Sequence, residues 1–161
     1  MSDWVDFYVA EVGASAALAG LLVVAISINI SKIMSFPALP GRAAQTLIMI
    51  GGSLVIASLA LLPGQPPDIL GIEVVVVALA DFVCSLQQTR NVMRLRGAND
   101  PLLWSVLPIL LGMVVAVPTF VGGVMLIVGQ DGALYWVAVG IILSLVVTLE
   151  NGWVLLVEIL R

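Results

Sequence analysis

Five long apolar stretches follow one another along the chain, separated by short segments rich in proline, glycine and charged residues. The stretches cover residues 4–30, 42–62, 69–88, 102–128 and 133–156. A helix of about 20 apolar residues spans the hydrocarbon core of a bilayer, and each stretch is long enough to do so. The pattern therefore predicts an all-α fold, with residues 1–161 forming one integral membrane domain of five transmembrane helices.

The composition supports a membrane protein. Of the 161 residues, 61% are hydrophobic, and the mean hydropathy is +1.20, so polar residues are too few to cover a soluble globule. A nucleic-acid-binding protein needs a basic face on a folded domain, and the sequence offers neither. We therefore expect membrane lipid as the surrounding partner, and no nucleic acid.

The charged residues separate when the five stretches are threaded alternately through a bilayer. One side receives every basic residue of the chain, namely Lys32, Arg42, Arg90, Arg94, Arg96 and Arg161. The other side receives Asp3, Asp6, Asp68 and Asp131 and no positive charge. Short loops enriched in Lys and Arg stay in the cytoplasm, so we predict that the N-terminus is outside and the C-terminus is cytoplasmic.

Asp81 lies near the centre of the third stretch. Asp81, Ser85 and Gln88 recur at positions i, i+4 and i+7, so they share one face of the helix. A charged group at this depth is costly and usually faces the bundle interior or a watery cavity. Asp81 is thus a candidate site for a proton or cation. The alternative is a neutral carboxylic acid that only hydrogen-bonds a neighbouring helix.

Two glutamates, Glu11 and Glu73, lie in the outer part of the first and third stretches. Together they could form an acidic vestibule, and in a symmetric oligomer an acidic ring, which favours cations over anions. The alternative is that both side chains simply reach the outer headgroups.

Glu150 and Asn151 lie in the inner third of the last stretch, on different helical faces. Glu150 is level with the end of the third stretch, so an ion pair with Arg90 or Arg94 is one hypothesis, and an inner gate is another. Asn151 shares its face with Ser144 and Thr148. The last stretch thus has two polar faces, of which one can serve contacts inside the subunit and the other a neighbouring subunit or a pore.

Small residues and prolines indicate how the helices pack. Four-residue spacing of small side chains lets helix backbones approach closely in lipid, and Gly13, Ala17 and Gly20 belong to such a pattern. Further candidate packing residues are Gly52, Gly122 and Gly123. Pro108 and Pro118 each remove a helical hydrogen bond, which predicts a kink or a local break lining a cavity.

The sequence contains no histidine, and no protease, hydrolase or P-loop motif is present. Catalysis by histidine, metal binding by histidine and haem ligation by histidine are therefore excluded. We expect no catalytic residue, no metal site and no cofactor, and hence a protein that is not an enzyme.

Three segments resemble a group of small bacterial multi-pass membrane proteins, some of which carry the label "modulator of FtsH protease". They are residues 11–20, 39–46 (Leu-Pro-Gly-Arg-Ala-Ala-Gln-Thr) and 61–65 (Leu-Leu-Pro-Gly-Gln). The resemblance covers mainly the first two spans and rests on packing residues and turns. It implies a protein of the bacterial inner membrane and supplies no functional residue.

Two functions are compatible with the sequence. Five helices leave little room for a cavity in one subunit, so the first hypothesis is a homo-oligomeric, channel-like conduit for cations or protons. Asp81 would be its central site. The second hypothesis is a regulatory or scaffolding subunit that conducts nothing and binds another membrane protein, for example a membrane protease, through its small-residue faces.

Overall fold

The computed structural model describes residues 4–37, 39–95 and 102–156, which form six α-helices and no strand. The helices are α1 (Val5–Ile28), α2 (Ile30–Ser35), α3 (Leu39–Ala60), α4 (Pro67–Leu95), α5 (Leu102–Val128) and α6 (Ala133–Leu156). The predicted all-α class is confirmed for this part of the chain. Two of the basic residues, Arg96 and Arg161, lie outside it.

Five of the helices, all except α2, are long and apolar enough to cross a membrane. The five predicted spans are therefore confirmed by length and composition, and α5 and α6 have the bounds that the sequence predicts. The helix α3 begins at Leu39, earlier than the predicted start at residue 42. Pro40 is compatible with this start, because the N–H groups in the first turn of a helix have no helical acceptor. At its other end α4 continues beyond residue 88 to Leu95.

The first predicted span is interrupted at Asn29. The backbone N–H and the Nδ2 of Asn29 both donate to the carbonyl oxygen of Ala25, at 3.2 and 3.1 Å. An asparagine side chain that bonds the local backbone competes with helix continuation. As a result α1 ends at Ile28, and the short helix α2 follows.

The long helices run alternately in opposite directions, and α3 occupies the centre of the bundle. It packs against α1, α4 and α6, whereas α5 packs against α4 and α6 on the far side. The helix α1 is peripheral, and most of its residues are exposed on the outside of the bundle.

The alternating directions collect opposite charges at the two ends of the bundle. Arg42, Arg90 and Arg94 lie at one end, here called the basic end. Asp6, Asp68 and Asp131 lie at the other, called the acidic end. Which end faces the cytoplasm stays a prediction.

The acidic half of the bundle is filled by an apolar core drawn from α1, α3, α4, α5 and α6. Its buried members are Tyr8, Ile56, Ala57, Leu70, Val74, Leu126, Ala133, Val137 and Ile141. A tight turn joins α5 to α6 beside it, with Gly129 at φ +72° and the N–H of Gln130 donating to the Met125 carbonyl at 2.9 Å. Gly129 thus ends α5 in a left-handed backbone conformation, which residues with a side chain rarely adopt.

Glycines bring α4 and α5 into backbone contact. A Cβ atom added to Gly71 would lie 2.7 Å from the carbonyl oxygen of Gly123, and one added to Gly123 would lie 2.9 Å from that of Gly71. Gly122 similarly faces α6, since its added Cβ would lie 2.7 Å from the backbone nitrogen of Val137. The close crossing of α4, α5 and α6 therefore depends on residues without a side chain.

The helix α5 is continuous through Pro108 and Pro118. Neither proline breaks it, so the alternative of an unwound segment lining a cavity does not apply. The carbonyl oxygen of Pro108 accepts a hydrogen bond from Gln45 of α3, at 3.1 Å.

Candidate functional site

The predicted polar face of α4 lies inside the bundle. Asp81, Ser85 and Gln88 are 4%, 0% and 5% exposed, although they lie on a helix that is otherwise mostly apolar. Asp81 faces α3 at Gly52, where an added Cβ atom would lie 3.1 Å from Asp81 Oδ2. The Oδ1 atom of Asp81 is buried and has no hydrogen-bond partner among the described residues.

Gln45 connects this face to two other helices. Its Nε2 donates to Ser85 Oγ at 2.9 Å and to the Pro108 carbonyl at 3.1 Å, so one amide joins α3, α4 and α5. The hydroxyl of Ser85 in turn donates to the backbone carbonyl oxygen of Asp81 at 2.9 Å. Gly112 of α5 lies directly against Ser85, where a side chain would collide with the hydroxyl. Gln45, Ser85 and Pro108 thus form one inter-helix network, which lies one helical turn from the Asp81 carboxyl group.

A cavity of about 210 Å³ continues the network towards the basic end. Its polar lining consists of Arg42, Gln45, Gln88 and Asn151, and its remaining lining is aliphatic. Arg42 Nε donates to Asn151 Oδ1 at 2.9 Å, which joins α3 to α6. We call the buried groups from Asp81 through Ser85 and Gln45 to this cavity the polar track.

The polar face predicted on α6 also lies in the interior. Ser144, Thr148 and Asn151 are 0%, 0% and 3% exposed. Ser144 Oγ donates to the Met49 carbonyl of α3 at 3.0 Å, and Thr148 Oγ1 has no partner among the described residues. This face is therefore directed at α3 within one subunit.

The two outer glutamates have different surroundings. Glu11 is half-buried on α1, and its Oε2 is buried with no hydrogen-bond partner in the described residues. Glu73 is half-buried on α4, where its Oε2 accepts a hydrogen bond from Gln65 Nε2. The helices α1 and α4 are not among the pairs that pack extensively, so the structure does not form the predicted vestibule from these two residues within one subunit.

The residues of the hypothetical ion pair are not brought together. Glu150, Arg90 and Arg94 are all exposed on the outside of the bundle. The helices α4 and α6 do not pack extensively against each other, because α3 and α5 lie between them. Similar depth in the membrane therefore does not make these residues neighbours.

The predicted packing residues divide into two groups. Gly52, Gly122 and Gly123 lie in close contacts between helices of one subunit. Gly13, Ala17 and Gly20 instead face outwards on α1, and no other residue comes within 4 Å of an added Cβ at either glycine. The second group is consequently available for contacts outside the subunit.

Two members of the polar track, Arg42 and Gln45, were not predicted as site residues. The sequence assigned Arg42 only to the basic side of the membrane, at the start of the second stretch. The missed signal is a stripe on α3, where Arg42, Gln45 and Gly52 follow one another on one helical face at intervals of three and seven residues.

The chemistry available in the track is that of one carboxyl group, hydroxyls, amides and one guanidinium. No group of three or more His, Cys, Asp or Glu side chains that could hold a metal ion occurs in the described ranges.

Comparison of the chain with protein-family models, curated proteins and solved structures finds no match. The resemblance noted from the sequence thus stays a prediction.

Proposed function

We propose that this chain is a non-enzymatic membrane protein that conducts protons or cations, with Asp81 as the central binding site. The observation that carries the proposal is the Oδ1 atom of Asp81, which is buried in mid-bundle without a hydrogen-bond partner in the described residues. Burying such an atom costs free energy, and native proteins rarely retain one without a role. A bound cation satisfies this oxygen, and a bound proton removes the negative charge that makes burial of the carboxyl group most costly.

The polar track supports the proposal because it gives Asp81 a route to one end of the bundle. The basic-end cavity reaches Gln45 and Gln88, and Gln45 bonds Ser85, one helical turn from Asp81. Ionisable groups inside membrane proteins usually mark ion or proton pathways. The proposed route runs between helices of a single subunit, and a central axis between subunits is not needed for it.

The proposed setting is a bacterial plasma membrane with the basic end in the cytoplasm, as the distribution of Lys and Arg favours. The proposed partners are lipid and further copies of the chain. The outward small-residue face of α1, with Gly13, Ala17 and Gly20, supports assembly into a homo-oligomer, because such faces allow close helix contacts in lipid.

The same face of α1 favours a second candidate function. A subunit that binds another membrane protein needs an exposed, closely approachable helix, and α1 supplies one. In that case the protein is a regulatory or scaffolding subunit, and its polar track serves only to hold α3, α4, α5 and α6 together.

Flux through the reconstituted protein tests the proposal. Purified wild-type protein in lipid vesicles is exposed in turn to gradients of protons, Na⁺, K⁺ and Mg²⁺, with protein-free vesicles as the control. We expect flux of at least one of these ions above the control. If none of them moves, the conduction proposal is contradicted, and the scaffolding function takes first place.

A further inference from the structure

The helix α1 carries a second set of buried polar groups, in the acidic half of the bundle. Tyr8, Glu11 and Ser15 follow one another at intervals of three and four residues, so they share one face of the helix. Tyr8 and Ser15 are 2% and 0% exposed. The Tyr8 hydroxyl, Glu11 Oε2 and Ser15 Oγ are all buried, and the described residues offer them no hydrogen-bond partner. We call these three residues the α1 limb.

The α1 limb begins at a cavity on the acidic end. This cavity has a volume of about 370 Å³, and its lining includes Trp4, Tyr8 and Gln65. Gln65 Oε1 is a further buried atom without a partner in the described residues, while the amide nitrogen of Gln65 bonds Glu73. The cavity therefore joins the polar groups of the acidic end to Tyr8.

The limb ends at the depth of Asp81. Tyr8 and Ala60 both line the acidic-end cavity, and α1 and α3 are antiparallel neighbours. Seven residues further into the bundle, about 10 Å along each axis, α1 presents Ser15 and α3 presents Ser53. Ser53 is 4% exposed, and its neighbour Gly52 contacts Asp81. Buried polar groups are thus present on α1 and α3 between the acidic-end cavity and the depth of Asp81.

The surroundings of this path favour a proton over a metal cation. The apolar core fills the acidic half beside the limb, so a hydrated ion has no aqueous passage there. Metal cations need several oxygen ligands in place of their water, whereas Asp81 is one carboxylate. A proton needs only a succession of hydroxyl, carboxyl and water oxygens.

We infer, on the basis of the proposed function, that the conducted species is a proton and that the α1 limb connects Asp81 to the acidic end within each subunit. In each transfer the carboxylic acid of Asp81 gives its proton to an oxygen of the polar track. The resulting carboxylate takes up one proton that arrives through Glu11. One O–H bond breaks and one forms at each step, so that one proton leaves for each proton that enters.

Conservative replacements in the limb test this inference in vesicles that contain the full-length protein. Glu11→Gln removes a titratable carboxyl group from the path, and Tyr8→Phe removes a hydroxyl group, each with little change in shape. A positioned proton-transfer group contributes large rate factors, so we expect each replacement to lower proton flux by about tenfold or more. Ser15→Ala should act in the same direction. Wild-type protein should carry no Na⁺ or K⁺.

The matched controls are Tyr135→Phe, Ser27→Ala and Asp131→Asn, which alter exposed residues that are not members of the limb and should leave proton flux unchanged. Size-exclusion profiles identify any variant that fails to fold. If Glu11→Gln fails to fold, Tyr8→Phe and Ser15→Ala still test the inference. Wild-type flux of Na⁺ or K⁺, or proton flux that is normal in the folded limb variants, overturns this inference but leaves the proposed function standing. Absence of every flux in wild-type protein overturns the proposed function itself.

Discussion

Replacing Asp81 by asparagine should reduce ion flux through the reconstituted protein to the level of protein-free vesicles. Asparagine has nearly the shape of aspartate and fits the space against Gly52, so the fold should survive. It cannot bind or release a proton and provides no charge for a cation. Because Asp81 is the only carboxyl group on the polar track, no other described side chain there can replace it. The measurement is flux of the transported ion in vesicles of matched protein content.

The control for this experiment is Asp68→Asn, the same chemical change at an exposed position on the acidic end. It should conduct as the wild type does. If Asp81→Asn conducts normally while its size-exclusion profile and thermal unfolding match those of the wild type, Asp81 is a neutral hydrogen-bonding group. The track would then be structural.

Replacing Gly71 by alanine should cause a large loss of stability. The new methyl group would meet the Gly123 carbonyl oxygen and the Ile127 nitrogen, at 2.7 and 2.9 Å from its carbon, and both atoms belong to the backbone. Side chains cannot rotate away from such a collision, so α4 and α5 must separate. Overpacking of this kind costs about 1–3 kcal/mol and sometimes more. Unfolding in detergent, followed by circular dichroism, measures the loss.

Gly51→Ala is the matched control, because an added Cβ at Gly51 meets no atom within 4 Å although Gly51 also lies inside a long helix. Alanine is intrinsically the better helix former, so this variant should be as stable as the wild type or slightly more stable. Equal stability of the Gly71 and Gly51 variants would mean that α4 and α5 do not cross as closely as described.

The five spans were predictable because each carries its own signal. Length and apolarity act within a single helix, and the turns at Pro63 and Gly129 carry residues that end helices. The buried face of Asp81, Ser85 and Gln88 was predictable for the same reason, since its periodicity belongs to one helix. Asn29 was not recognised as a break, because its effect depends on a bond to the Ala25 carbonyl.

Contacts between helices were less predictable. Depth in the membrane can be counted along the sequence, and it placed Glu150 level with Arg90. It does not reveal which helices are neighbours, and α3 and α5 separate α4 from α6. Arg42 shows the opposite case. Its charge predicts a solvent position, yet its side chain reaches Asn151 on another helix.

The location of the proposed pathway also differs from the expectation drawn from chain length. Because five helices leave little room for a cavity in one subunit, the sequence favoured a path built by a symmetric assembly. Instead, glycines at positions 52 and 112 leave room for Asp81 and Ser85 inside a single subunit. Small residues on neighbouring helices therefore provide interior space that helix count does not indicate.

Reactivity of introduced cysteines along α4 tests most directly whether water reaches Asp81 from the basic end. The native thiol is first removed by Cys84→Ala. Ser85→Cys and Gln88→Cys then place thiols on the track, and Val83→Cys places one on the outer surface, where Val83 is 49% exposed. A small charged thiol reagent that cannot cross lipid is added to one side of sealed vesicles at a time. We predict that the two track cysteines react from the basic-end side only and that Val83→Cys stays unmodified in lipid. Inert track cysteines beside a reactive Val83→Cys, or labelling of the track from the acidic-end side alone, would contradict a polar route from the basic end to Asp81.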